Sequence, residues 1–119
     1  MEKGNNVIQE KSEAFALRII NLYKLLRDDR RAYIIPKQLL RSGTSIGANV
    51  CEALCAISRK DFLSKMYISF KECNETLYWL RLLYKSELLT QKEFESIYTD
   101  GKEIYHLLSS ITKTTSAKM

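Results

Sequence analysis

The sequence predicts an all-α chain folded as an antiparallel, up-down-up-down four-helix bundle, and three observations predict it. One proline and four glycines in 119 residues leave little that would break a helix. No run sustains the alternation of apolar and polar side chains that a strand requires. Four segments instead repeat apolar residues every three or four positions, the period of a helix with one buried stripe.

In the first segment Phe15, Ile19, Leu22 and Leu26 form the stripe, flanked by Ala16, Ile20 and Tyr23, and Asp28-Asp29-Arg30-Arg31 should end it. Pro36 suits the first turn of a second helix, where its missing N–H is harmless, and that helix is expected to reach about Ile57. Ser58 with Asp61 has the spacing of a capping box, with Asp in place of Glu, and opens a third helix. Its inner stripe reads Phe62, Met66, Phe70, Cys73, Leu77, Leu80 and Tyr84. Thr90 with Glu93 caps the fourth, where Phe94, Ile97, Gly101, Ile104, Leu108 and Ile111 face inward. Connections of a few residues force neighbouring helices to run antiparallel. The whole of 1–119 reads as a single domain with a core over about residues 8–112, and the polar tail from Thr112 to Met119 is expected to fray.

Hydrophobic residues make up 45% of the chain and charged residues 28%, the balance of a globular protein rather than a disordered one. No apolar run approaches a membrane span, and Met1-Glu2-Lys3-Gly4-Asn5-Asn6 lacks the apolar stretch of a secretory signal, so a cytoplasmic protein without membrane contact is expected. Cys51, Cys55 and Cys73 are odd in number and contain no Cys-x-x-Cys, which predicts buried, reduced thiols rather than disulfides or a zinc site. The net charge of +5 is uneven, +6 over the first 86 residues and −1 over the last 33. Electrostatic attraction to a polyanion follows from such a surplus.

Catalysis is not expected. A di-iron carboxylate bundle needs two Glu-x-x-His motifs, and only Glu103-Ile104-Tyr105-His106 is present. His106 is the sole histidine, which removes most Ser-His and Cys-His nucleophile schemes, and no glycine-rich phosphate loop occurs. The reading therefore assigns no catalytic residue, metal or cofactor.

Two helices carry more than a core. The outer face of the second holds Arg41, Thr44, Ser45, Ala48, Glu52 and Ala56, small residues with few charges, while Gly43 and Gly47 on its inner face imply close approach of a neighbouring backbone. On the third, Ile68, Tyr78, Trp79 and Leu82 point away from the stripe, among Lys60, Lys71 and Glu75. Surfaces of this kind are satisfied when subunits pack side by side. The expected interface of a homo-oligomer thus comprises Arg41, Thr44, Ser45, Ala48, Glu52, Ile68, Tyr78, Trp79 and Leu82, with Arg41 and Glu52 each placed to pair with a neighbouring subunit and fix register. Asn49 and Glu72 are expected in a polar network between helices.

The stretch from Lys37 to Ala53, Lys-Gln-Leu-Leu-Arg-Ser-Gly-Thr-Ser-Ile-Gly-Ala-Asn-Val-Cys-Glu-Ala, resembles the signature of the bacterial four-helix-bundle proteins encoded in 23S ribosomal RNA intervening sequences. Phe15-Ala16, Lys60-Asp61-Phe62, Lys65-Met66, Lys71-Glu72, Glu75-Thr76 and Tyr78-Trp79-Leu80-Arg81 extend the resemblance over roughly Lys11 to Leu108. It implies an antiparallel bundle assembled as a ring-shaped homopentamer. It also implies kinship with the accessory variability protein of diversity-generating retroelements, a basic pentamer that binds a reverse transcriptase and nucleic acid.

The groups available to a polyanion are Arg18, Lys24, Arg27, Arg30, Arg31, Lys37, Arg59, Lys60, Lys65, Lys71 and Arg81, besides Arg41. The competing role for any of them is a solvated charge or a helix-surface ion pair, such as Lys71 with Glu75. The function expected is a non-catalytic, ring-forming bundle that binds structured RNA or DNA through basic surface, beside a possible protein partner. The alternative is a protein-interaction scaffold that binds no nucleic acid.

Overall fold

A computed structural model of the chain describes residues 3–119, and their side chains from residue 7 onward. It contains α1 (Lys3–Asp28), α2 (Ile34–Leu54), α3 (Arg59–Lys85) and α4 (Gln91–Ala117), with no strand among the described residues. Each helix packs on its neighbour in sequence, and α4 returns against α1 to close a rod of 46 × 20 × 19 Å. Of the four seams, α2 with α3 is the most extensive and α1 with α4 the thinnest.

The helix ends follow local chemistry. Past α1, Arg31 adopts a left-handed φ of 55°, and the Ala32 N–H donates to the Leu26 carbonyl at 3.0 Å, which satisfies an otherwise free acceptor. Helix α2 begins two residues before Pro36, which still lies in the first turn, and stops at Leu54 rather than Ile57. Ile57 is 96% exposed, so no burial rewards a further turn. Ser58 Oγ accepts from the Asp61 N–H at 3.0 Å, whereas the Asp61 carboxylate accepts from Ile57 N, one residue earlier than a capping box would have it. Thr90 and Glu93 form the full reciprocal box.

The tail from Thr112, expected to fray, is helical for most of its length. Helix α4 continues through Ala117, and Thr112 is buried with its hydroxyl donating to the Leu108 carbonyl at 2.9 Å. A polar composition hid this turn, because the hydroxyl is satisfied by its own helix.

Phe15, Ile19, Leu26, Leu39, Ile46, Val50, Met66, Leu80, Ile104 and Leu108 are fully or almost fully buried and form one core through all four helices. Phe62, Phe70 and Tyr84 lie at its edge, half-buried, with Phe70 against Tyr105 and Tyr84 stacked on Phe94. Along the α2–α3 seam small hydroxyl residues let the helices approach. Ser69 donates to the Ile46 carbonyl at 2.8 Å, and the Thr76 hydroxyl lies 3.0 Å from that of Ser42. These groups are buried and all bonded.

The two glycines of α2 face α1, as their spacing predicts, but they are not equivalent. A Cβ on Gly43 would stand 2.8 Å from Cγ2 and 2.9 Å from Cγ1 of Ile19, a β-branched side chain locked in χ1 within a helix. A Cβ on Gly47 would meet Ser12 at 3.4 Å, ordinary contact. Gly43→Ala is therefore expected to destabilise the protein by about 1–2 kcal/mol, overpacking outweighing the gain in helix propensity. Gly47→Ala should instead stabilise it by about 0.5–1 kcal/mol. Urea unfolding of the two variants checks the opposite signs.

Candidate nucleic-acid interface

Which cations are free to meet a ligand depends on which helices are neighbours. Across the thin α1–α4 seam Lys11 pairs with Glu103, Arg18 with Asp100 at 2.5 Å, and Arg30 with Glu93 at 2.7 Å. Arg18 also donates to the Ser96 hydroxyl and carbonyl. Arg30 grips both oxygens of Glu93 and donates a further bond, 2.8 Å, to the Leu88 carbonyl. That guanidinium, helped by the N–H of Thr90, holds the Glu93 carboxyl down to about 2. Between these pairs the seam leaves a groove of about 450 Å³ with Leu22, Leu25 and Ile97 along its floor.

Arg27 is taken by its neighbour Asp28 in a two-bond pair and lies over the Tyr23 ring. On the other side of the rod, Arg41 of α2 reaches Glu72, at 3.2 Å, and Glu75 of α3. Arg41, expected to pair with a neighbouring subunit, is engaged within its own chain, because α2 and α3 pack closely enough for it to bridge them. Glu75 accepts from Arg41 and from Trp79 Nε1, at 2.9 Å, rather than from Lys71. Glu72 thus joins two helices as expected, while Asn49 donates only to the Ser45 carbonyl of its own helix.

These pairings partition the charge. Glu93, Asp100 and Glu103 of α4 face the cations of α1, and Glu72 and Glu75 of α3 face Arg41. Asp61, the remaining carboxylate of α3, is occupied at the helix start. No carboxylate of α3 is thus left unpaired on its outward side. There Lys60, Tyr67, Lys71, Tyr78 and Lys85 follow at spacings of seven, four, seven and seven, and every one is exposed. Such spacings hold one face of a helix, so the stripe runs straight along the rod for about 37 Å. Toward α4, Arg81 donates to the Tyr98 hydroxyl at 3.0 Å and lies 6.0 Å from the Tyr78 ring, and Lys102 sits 4.9 Å from that of Tyr105.

Of the cations singled out in the sequence, the structure brings together Lys60, Lys71 and Arg81 on this face. Lys65 lies on α3 but off the stripe, half-buried, and Arg59 donates to the Lys118 carbonyl at the far end of α4. Lys24, Arg31 and Lys37 are exposed around the α1–α2 connection. Tyr67, Lys85 and Lys102 were missed, although the register of Tyr67 and Lys85 with Lys60 and Lys71 was visible in the spacing.

Of the residues expected at an oligomer interface, those of α2 lie on a separate helix from the stripe, whereas Tyr78 belongs to the stripe itself and Ile68, Trp79 and Leu82 share its helix. Ala48 and Glu52 are exposed, Thr44 and Ser45 half-buried, on the outer surface of α2. Ile68 is 39% and Tyr78 45% exposed, whereas Trp79 and Leu82 are half-buried. Trp79 lies back on the core edge with its ring 5.0 Å from that of Tyr78. The thiols depart from expectation: Cys51 and Cys55 are exposed on the same outer side of α2, and only Cys73 is buried. Burial pushes the Cys73 thiol up to about 12 and leaves it a small apolar side chain bonded to the Gly101 carbonyl. No helix among the described residues is long and apolar enough to cross a membrane.

A solved structure of a protein of unknown function from the S23 ribosomal protein family of Bacteroides thetaiotaomicron is similar over nearly the whole length. It is 52% identical, covers 92% of this chain and 98% of its own, and superposes with a TM-score of 0.91. No curated protein matches the chain. The sequence model of the 23S rRNA-intervening sequence protein family matches residues 4–110, and the chain belongs to that family.

Proposed function

We propose that this protein is a non-catalytic, ring-forming homo-oligomer that binds nucleic acid through the outward side of α3. The observation that carries the reading is the charge partition. Every carboxylate of α3 is engaged, by Arg41 or at the helix start, while Lys60, Lys71 and Lys85 of the same helix have no acid partner among the described residues and Arg81 donates to Tyr98. Backbone phosphates need only such a surface, since each contact releases condensed counterions. Assembly is supported by the small outer face of α2 beside the exposed Ile68, and the resemblance to ring-forming relatives makes five the subunit number. Repetition round a ring would offer one long polyanion several copies of the same face.

Retention of labelled RNA by the purified protein at increasing salt tests this reading. Four phosphate contacts from one subunit correspond to a slope of about −3 in log K against log salt, a loss of about 50-fold between 50 and 200 mM. The exposed apolar Ile68 favours a second reading, a protein-interaction scaffold. Absence of RNA binding even at low ionic strength would select it.

A further inference from the structure

Resting on the nucleic-acid reading above, we infer that the α3 face takes unpaired nucleotides, with bases stacked on Tyr67 and Tyr78 and phosphates held by Lys60, Lys71 and Lys85. Lysines alone would serve a duplex equally well. The tyrosines make the difference.

Tyr67 is 43% and Tyr78 45% exposed, and neither hydroxyl has a hydrogen-bond partner among the described residues. Core packing therefore does not account for either ring. They stand eleven residues apart on one face, about 16 Å along the helix, with Lys71 between them and a lysine beyond each. An aromatic ring set between cations is what a single strand uses, because every base has a π-face and every linkage a phosphate. A duplex keeps those faces inside its own stack and, as A-form RNA, presents a major groove too narrow to read. Arg81, 6.0 Å from the Tyr78 ring, adds a guanidinium plane on which a base can also lie.

The experiment measures fluorescence anisotropy with three probes of equal phosphate number: single-stranded oligouridylate, single-stranded oligothymidylate and a fully paired RNA hairpin stem. Binding of either single strand at least about tenfold tighter than the hairpin upholds the inference, and the first two probes distinguish RNA from DNA as its source. The double variant Tyr67→Leu/Tyr78→Leu should lose about 30-fold in single-strand affinity, the sum of two modest stacking contacts. Tyr67→Phe/Tyr78→Phe should retain it. Both positions are exposed, so unchanged circular dichroism is expected throughout. Equal affinity for hairpin and single strand, or an unaltered Leu variant, overturns the inference and leaves the nucleic-acid reading in place. Failure of all three probes to bind at low salt overturns that reading as well.

Discussion

Reversing Lys60, Lys71 and Lys85 to glutamate should lower RNA affinity at least about 100-fold at moderate salt and reduce the salt slope by about 2. The three side chains are exposed and none forms an ion pair among the described residues, so their removal breaks no contact within the chain. Surface changes of this kind cost within about 0.5 kcal/mol each. Lys85, in the last turn of α3, is the exception, since an acid there opposes the helix dipole by about 0.3–1 kcal/mol. The same reversal at Lys24 and Lys37 removes two exposed cations of α1 and α2, outside the α3 stripe, and should leave affinity within about threefold, by diffuse electrostatics alone. Filter binding across a salt series, with thermal melts as the control, checks both variants. Equal losses from the two sets would mean that net charge, and not the α3 face, attracts the ligand.

If the proposed oligomer packs the outer face of α2, Ala48→Arg should convert it to monomers. In one chain Ala48 faces outward and fills no cavity, and an arginine there could pair with Glu52 one turn later, so the isolated bundle should be unharmed. In an assembly that packs this small-residue face, a long charged side chain must be accommodated without room and stripped of water. Trp79→Glu is the companion on α3. It breaks the bond to Glu75 and places two carboxylates a turn apart, so a cost of about 2–3 kcal/mol to the subunit itself is expected alongside dissociation. Light scattering reads the mass of each. If both variants keep the parent's mass, the assembly face lies elsewhere.

The bundle was legible because its causes are local. The Thr90–Glu93 box, the stripe through Phe15, Ile19 and Leu26, and the close approach at Gly43 each follow from residues a few positions apart. The site was legible only in part, because charge neutralisation acts across the bundle. Arg18 meets Asp100 at a separation of 82 residues, Arg30 meets Glu93 at 63 and Arg41 meets Glu75 at 34. No spacing rule anticipates such partners, so Arg18, Arg30 and Arg41 counted as available when they are occupied. The α3 stripe had the reverse problem. Its period was in plain view, but its meaning required knowing that Glu72 and Glu75 turn toward α2. Cys51 misled because a free thiol is most often interior, while here the outer side of α2 is made of small residues.

The seam where the first helix meets the last is the thinnest of the four and, among the described residues, the one with the most charge bridges. Three bridges span it beside a hollow, whereas the more extensive α2–α3 seam adds buried hydroxyl contacts to its apolar packing. Dissolved ions weaken such fastenings and leave oily contacts intact, so the bundle should open there first, like a book along its unbound edge. Acid would release the Arg30 clasp late. Its carboxylate contributes stability above the ordinary value near 4.5 and surrenders it only as pH descends toward about 2.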